Sequence, residues 1–162
     1  MSKTIGRKIP DQVLDAFNGE QLESKVGLAY MLLTLDADLT PRPCMLSAGE
    51  ILAVSDACLR FALWRGTRTS ANLARGGPAV FCYVAPRTVF YLSGKAKKLG
   101  EAREAGAELF ELVVENVDSD EHAGMPVTDT IRFEAESPPL DEVLREWYAR
   151  LEVLRNARDA AS

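Results

Sequence analysis

The residues best suited to chemistry lie in one stretch, RFALWRGTRTSANLARGGP, from Arg60 to Pro78. Apolar alternation ends near Leu63, Thr67 is placed to cap a short helix running to about Arg75, and Gly76-Gly77-Pro78 stops it. Arg65 and Arg68 therefore fall at the N-terminal end of that helix, where aligned backbone dipoles already place about half a positive charge. Two cations there cost stability unless an anion lies among them. A phosphate would meet the need, accepting from the free N–H groups of the first turn, from the Thr67 and Thr69 hydroxyls and from the guanidinium groups. The same pattern also suits a Thr67 that only caps and arginines that only face water.

The charge distribution sharpens the question. The 162 residues carry a formal net charge of −5, which argues against a general nucleic-acid binder. Between Ala57 and Gly100, however, there is no Asp or Glu, while Arg60, Arg65, Arg68, Arg75, Arg87, Lys95, Lys97 and Lys98 all fall there. Either acidic partners reach this segment from its flanks, or it frames an anion site.

These residues need a scaffold, and the pattern is that of one domain over 1–162. Residues 10–22 read as a helix within an N-terminal helical segment (1–24), with Val13, Leu14 and Phe17 at helical spacing. Short apolar or alternating runs follow at 26–35, 42–47, 51–55, 58–63, 79–84 and 88–98, separated by turn residues, and read as strands. Residues 101–118 are ambiguous between helix and strand, with strand favoured for the second half; 130–135 alternates as a last strand. Residues 137–158 form the clearest helix, in a C-terminal segment (137–160), with Ser137 as cap, acids in the first turn and one apolar stripe that includes Trp147. Antiparallel strands between terminal helices predict a mainly β, α+β domain whose strands over 26–135 close fully or partly into a barrel.

With these features in place, the chain resembles the FMN-binding split-barrel family, the pyridoxamine 5'-phosphate oxidase-like proteins. The resemblance rests on Phe61-Ala62-Leu63 running into Thr67-Arg68-Thr69, then Asn72-Leu73 and Pro78-Ala79-Val80. It is joined by LLTLDADLTPRPCMLSAGE before and YLSGKAKKL after, covering about residues 26–99. It implies a six-stranded antiparallel split β-barrel, FMN as cofactor, a small-molecule substrate or electron donor, and a homodimer with flavin at the interface. It also implies that Thr67, Arg68 and Thr69 hold the phosphate, that Arg42 and Ser47 face the cofactor, and that Leu63 and Trp64 border the ring. Two departures stand out. Thr69 replaces the usual basic residue, with Arg65 the available substitute, and the Arg-x-His element of the true oxidases is missing, His122 being the lone histidine.

The activity so implied is an FMN-dependent oxidoreductase; a non-catalytic carrier of flavin, haem or deazaflavin is the competing expectation, since one fold hosts many functions. His122 reads as a solvated loop residue, and Cys44, Cys58 and Cys82 lack metal or redox spacing and read as buried free thiols. No apolar run is long enough to span a membrane and no apolar core follows the N-terminal basic residues, so a cytoplasmic protein is expected.

Overall fold

The structure is a computed structural model that describes residues 2–134 and 136–158. Residue 135, which closes the expected barrel segment, and residues 159–160 of the expected C-terminal segment lie outside the described residues, as does residue 1. Nine strands are described: β1 (Ser2–Gly6), β2 (Leu28–Leu35), β3 (Pro41–Leu46), β4 (Ile51–Ser55), β5 (Cys58–Trp64), β6 (Pro78–Ala85), β7 (Thr88–Ala102), β8 (Ala107–Asp120) and β9 (Ile131–Arg132). Three α-helices accompany them: α1 (Asp11–Ala16), α2 (Arg68–Ala74) and α3 (Leu140–Asn156).

The mainly β, α+β expectation holds; the six-strand count does not. The main path runs β3-β2-β6-β7-β8-β5-β4, with β1 added on β8 and β9 on β2, and every pairing is antiparallel. Two long strands make this a split barrel. β7 lies along one edge of β8 throughout, whereas the other edge of β8 is shared by β5, at Ala107–Val113, and β1, towards Asp120. Bulges at Ser93/Gly94 and Lys98/Gly100 bend this pair. Gly94 is required there, because a β-carbon would collide with the Val113 carbonyl oxygen.

A row of cross-strand partners, Leu32, Phe81, Leu92 and Val117, forms the centre of the core, and each is fully buried. A second row joins Ile51, Phe61 and Phe110 in the other half. Burying such side chains stabilises by roughly 1.5–3 kcal/mol apiece, which fixes the register of both halves.

Several element expectations are corrected. The segment 1–24 is not simply helical: Ser2–Gly6 is a strand, and the helix shrinks to Asp11–Ala16, with a separate 3-10 turn at Leu22–Lys25. The ambiguous 101–118 is strand on both sides of a 3-10 turn at Arg103–Ala105, and the last strand is only Ile131–Arg132. The C-terminal helix starts at Leu140; Pro139 is the residue before it and Ser137 makes no cap.

α3 lies against β4, β5 and the 3-10 turn Ala48–Glu50. A β-carbon at Gly49 would fall inside the Trp147 indole, so only glycine admits the helix this closely. Arg60 on β5 completes the attachment: Nη1 donates to the carbonyls of Leu154 and Ala157 at 2.8 Å each, while Nε binds Glu111 Oε2 at 2.9 Å.

Candidate functional site

α2 forms where the sequence places it. Thr67 has extended backbone angles, and its Oγ1 accepts from the Ser70 N–H at 3.1 Å. The same hydroxyl donates to the Trp64 carbonyl at 3.1 Å, tying the helix start to the end of β5. The inner face of α2 buries Thr69, Ser70, Asn72 and Leu73. Arg68 and Arg75 remain on the outer face, seven residues apart.

Asn72 anchors the helix. Its amide is 3% exposed and donates to Thr34 Oγ1 at 3.0 Å and to Asp36 Oδ1 at 2.8 Å, at the end of β2. Asp36 is the electrostatic centre of the site. Its Oδ2 accepts from Arg42 at 2.6 and 3.1 Å and lies 3.9 Å from Arg68 Nη1. These hydrogen bonds, from Arg42 first and then Asn72, pull its carboxyl down to about 2. The turn after β2 and α2 together enclose a shallow cleft of about 340 Å³, lined by Asp36, Asp38, Arg68, Ala71, Asn72 and Arg75. Part of the charge conflict at the helix start is thus relieved by the chain's own carboxylate, which sequence reasoning missed. The signal was faint: an acid in an ordinary turn, distant in sequence from the helix it serves.

Five of the eight basic residues of the central segment have acidic neighbours, and they fall into two groups. Arg60, Lys97 and Lys98 are closely paired with Glu111 or Glu108, acids supplied by β8. Arg65 and Arg68 are engaged only loosely, Arg65 with Glu101 at 4.0 Å and Arg68 with Asp36 at 3.9 Å; their side chains are 53% and 75% exposed. The flanking-acid explanation therefore covers the first group, while Arg65 and Arg68 are only loosely held and Arg75 bonds the Asn72 side-chain oxygen at 2.7 Å.

The other expected site residues are distributed around this centre. Arg42, on β3, is held by Asp36 and so shares the cluster. The Ser47 hydroxyl donates to Glu50 Oε2 at 2.8 Å in a capping box on the neighbouring 3-10 turn, which commits it locally. Leu63 is buried, with its backbone paired to Glu108. Trp64 is 60% exposed, with the Arg150 guanidinium 5.7 Å from its ring centre. Thr69 is buried, and its hydroxyl faces the Cys44 thiol, whose titration burial pushes up. Of the eight, Arg42 and Arg68 share Asp36 beside α2 and Thr67 caps that helix, whereas Arg65 meets Glu101, Thr69 faces Cys44 and Ser47 binds Glu50.

The donor set fits a phosphate monoester. Two exposed guanidinium groups flank the start of the helix, and the first-turn N–H groups of Arg68 and Thr69 have no carbonyl one turn back to bond. No group of three or more His, Cys, Asp or Glu side chains placed to hold a metal ion occurs among the described residues. His122 is exposed in its loop. No described helix is long and apolar enough to cross a membrane.

No family model matches the chain. The uncharacterized protein YclD of Bacillus subtilis (strain 168) is 33% identical over 147 residues, which is 90% of this chain and 94% of YclD. Among solved structures, a candidate pyridoxamine 5'-phosphate oxidase of Lactobacillus delbrueckii superposes with a TM-score of 0.55 at 16% identity, covering 71% of this chain and 98% of that one. HupZ of Group A Streptococcus gives a TM-score of 0.52 at 13% identity, over 78% and 99% of the two chains. The Mycobacterium tuberculosis protein Rv2991 gives 0.53 at 11%, over 83% and 99%. The chain belongs to one family with YclD, and its fold is the split barrel of the pyridoxamine 5'-phosphate oxidase-like proteins.

Proposed function

We propose that this protein binds FMN with its phosphate at the start of α2 and serves as a cytoplasmic, flavin-dependent oxidoreductase for a small-molecule substrate. One observation carries the reading: Arg65 and Arg68 stand exposed at and just before the first turn of α2, and among the described residues no carboxylate is nearer than 3.9 Å to either guanidinium. Arg65 and Arg68 would bind the phosphate with the first-turn N–H groups, Thr67 would hold the helix start rigid, and Arg42 would add positive charge from β3. Leu63 and Trp64, at the end of β5, would border the ring. Once bound, the flavin supplies the redox chemistry, and the protein supplies anchoring, orientation and shielding from water. A homodimer belongs to this reading, because a second copy would complete the wall around the ring; light scattering against the 17.8 kDa chain mass tests it.

The test is an FMN titration followed by flavin absorbance and fluorescence. The parent should retain two flavin bands through gel filtration. Arg68→Ala should weaken binding by ~10–100-fold, the loss of one or two charge-assisted hydrogen bonds, with its circular dichroism unchanged. Arg75→Ala, at the far end of the helix, should change it far less. Equal affinity in the parent and Arg68→Ala would remove the arginine from the site, and a haem-type Soret band would replace the cofactor while keeping the fold.

A further inference from the structure

α3 and the turn between β7 and β8 face one another across a groove of about 890 Å³, a volume within the usual range of small-molecule sites. Ala102, Ala105 and Gly106 line it from the turn, and Ala149 and Val153 from the helix. Trp64, the last residue of β5, lines the same groove and is 60% exposed. Small side chains on both walls leave the indole open, and at Gly106 even an added β-carbon would stand 3.9 Å from its Cζ3. With Val153, which is also exposed, the indole makes a contiguous apolar surface inside a concavity, the kind that marks a ligand groove.

Arg150 adds a second feature. Its guanidinium carbon lies 5.7 Å from the centre of the Trp64 ring, within cation–π range. Among the described residues this guanidinium has no ion-pair or hydrogen-bond partner, although Glu146 stands one turn earlier on α3 and lines the same groove. A planar fork of N–H donors is thus held at the indole with its donors unclaimed. The rim carries both signs of charge, Glu101, Glu104 and Glu146 against Arg103 and Arg150. Glu101 is already shared by Lys98 at 3.3 Å, Arg103 at 3.9 Å and Arg65 at 4.0 Å. An anion would meet the acids and a cation would meet the arginines, so the rim suits an uncharged ligand that both donates and accepts.

We infer that this groove binds a flat, uncharged heteroaromatic ring bearing N–H donors and carbonyl acceptors, packed on Trp64 and bonded at its edge by Arg150. The exposed part of the indole supplies the stacking surface, the guanidinium donates to a ring carbonyl, and Glu146 accepts from a ring N–H. The imide ring of a flavin has this chemistry, and so has a separate substrate of the uracil type. The groove adjoins the start of α2, because the Trp64 carbonyl accepts from Thr67 and the Arg65 N–H donates to the Gly106 carbonyl at 3.0 Å. Ring binding here does not require a phosphate at α2.

Riboflavin, which carries the flavin ring without a phosphate, is the probe, titrated into the full chain and followed by quenching of its own fluorescence. Saturable binding is expected. Trp64→Ala should weaken it by at least ~10-fold, the usual effect of losing an aromatic platform, while Trp64→Phe should retain most of it. Arg150→Met keeps an apolar stem and removes the donors, so it should weaken riboflavin ~3–10-fold. These side chains are exposed or half-buried, and circular dichroism of the variants should match the parent. FMN separates the two sources of the ring: displacement of riboflavin assigns the groove to the cofactor, and riboflavin bound beside FMN assigns it to a second ligand. Failure of the phosphate site would show differently, with FMN no tighter than riboflavin and Arg68→Ala changing neither. Absence of saturable riboflavin binding, or parent-like affinity in both Trp64→Ala and Arg150→Met, would overturn the assignment.

Discussion

Asp36 shows how one side chain governs a site that its sequence neighbours do not advertise. Its carboxylate binds Arg42, accepts from Asn72 and lies 3.9 Å from Arg68, so it acts as a resident counter-ion for the guanidinium cluster. An incoming phosphate would compete with it for Arg68. Asp36→Asn should therefore tighten FMN binding at low salt, by a margin that shrinks as added salt screens the lost repulsion. The same substitution should lower stability. Asp36 has a folded-state value of about 2 against an ordinary 3.8, so its stabilisation is complete above pH ~4 and fades as pH falls through ~2. Thermal melts of parent and variant should thus differ by a constant amount near neutrality and converge in strong acid. A gap that widens on acidification would contradict the pairing.

At the scale of elements, α3 is attached by two features that sequence periodicity could not supply. Arg60 satisfies the helix's final carbonyls while paired with Glu111, and its side chain and that of Glu111 are 16% and 11% exposed. Removing one partner of so enclosed a pair is costly, and Arg60→Ala should destabilise by about 3 kcal/mol with a red-shifted Trp147 emission. Gly49→Ala should act on the same helix from its other side, forcing the indole outward at about 1–3 kcal/mol. Urea melts and fluorescence of the two variants check both, and neither should alter phosphate binding at α2. What could be read in advance follows the same division. α2 was legible because its signals are local: a capping threonine, an apolar inner face and a glycine–proline stop. The region 101–118 was not, because Leu109, Phe110, Glu111 and Leu112 are buried in succession, with Arg60 covering Glu111. A strand covered on both faces loses the period-two alternation that identifies it. β1 was missed for the opposite reason: all five of its residues are exposed, and only pairing with β8 makes it a strand. The candidate arginine site was suggested by the mismatch between cations and helix dipole, whereas Asp36 acquires its meaning from Arg42 and Asn72, partners brought in by tertiary folding.

Four of the eight strand pairings join distant parts of the chain, β1 with β8, β2 with β6 and β9, and β5 with β8, and that has consequences for how it unfolds. β8 joins the first described strand, β1, to the middle of the chain through β5, and β7 and β8 run through both halves of the sheet. The β7–β8 ladder joins the two halves, β6 pairing with β7 and β5 with β8, so separating these two long strands splits the sheet. The α2 site depends on the same arrangement, since Arg68 follows β5 while Asp36 ends β2, on the other side of β6, β7 and β8 in the strand order. One cooperative transition is therefore expected in urea, with coincident midpoints for far-UV circular dichroism and for single-tryptophan variants reporting Trp64 beside α2 and Trp147 on α3. Refolding should be slow for a chain of this length, milliseconds to seconds, because loop closure precedes most of the stabilising contacts. An earlier midpoint at Trp147 alone would mean that α3 leaves a sheet still folded, and that its anchorage by Arg60 and Gly49 is weaker than the geometry implies. An earlier midpoint at Trp64 would place the weak point at the junction of β5 and α2, where the phosphate of a bound cofactor would then raise stability with ligand concentration.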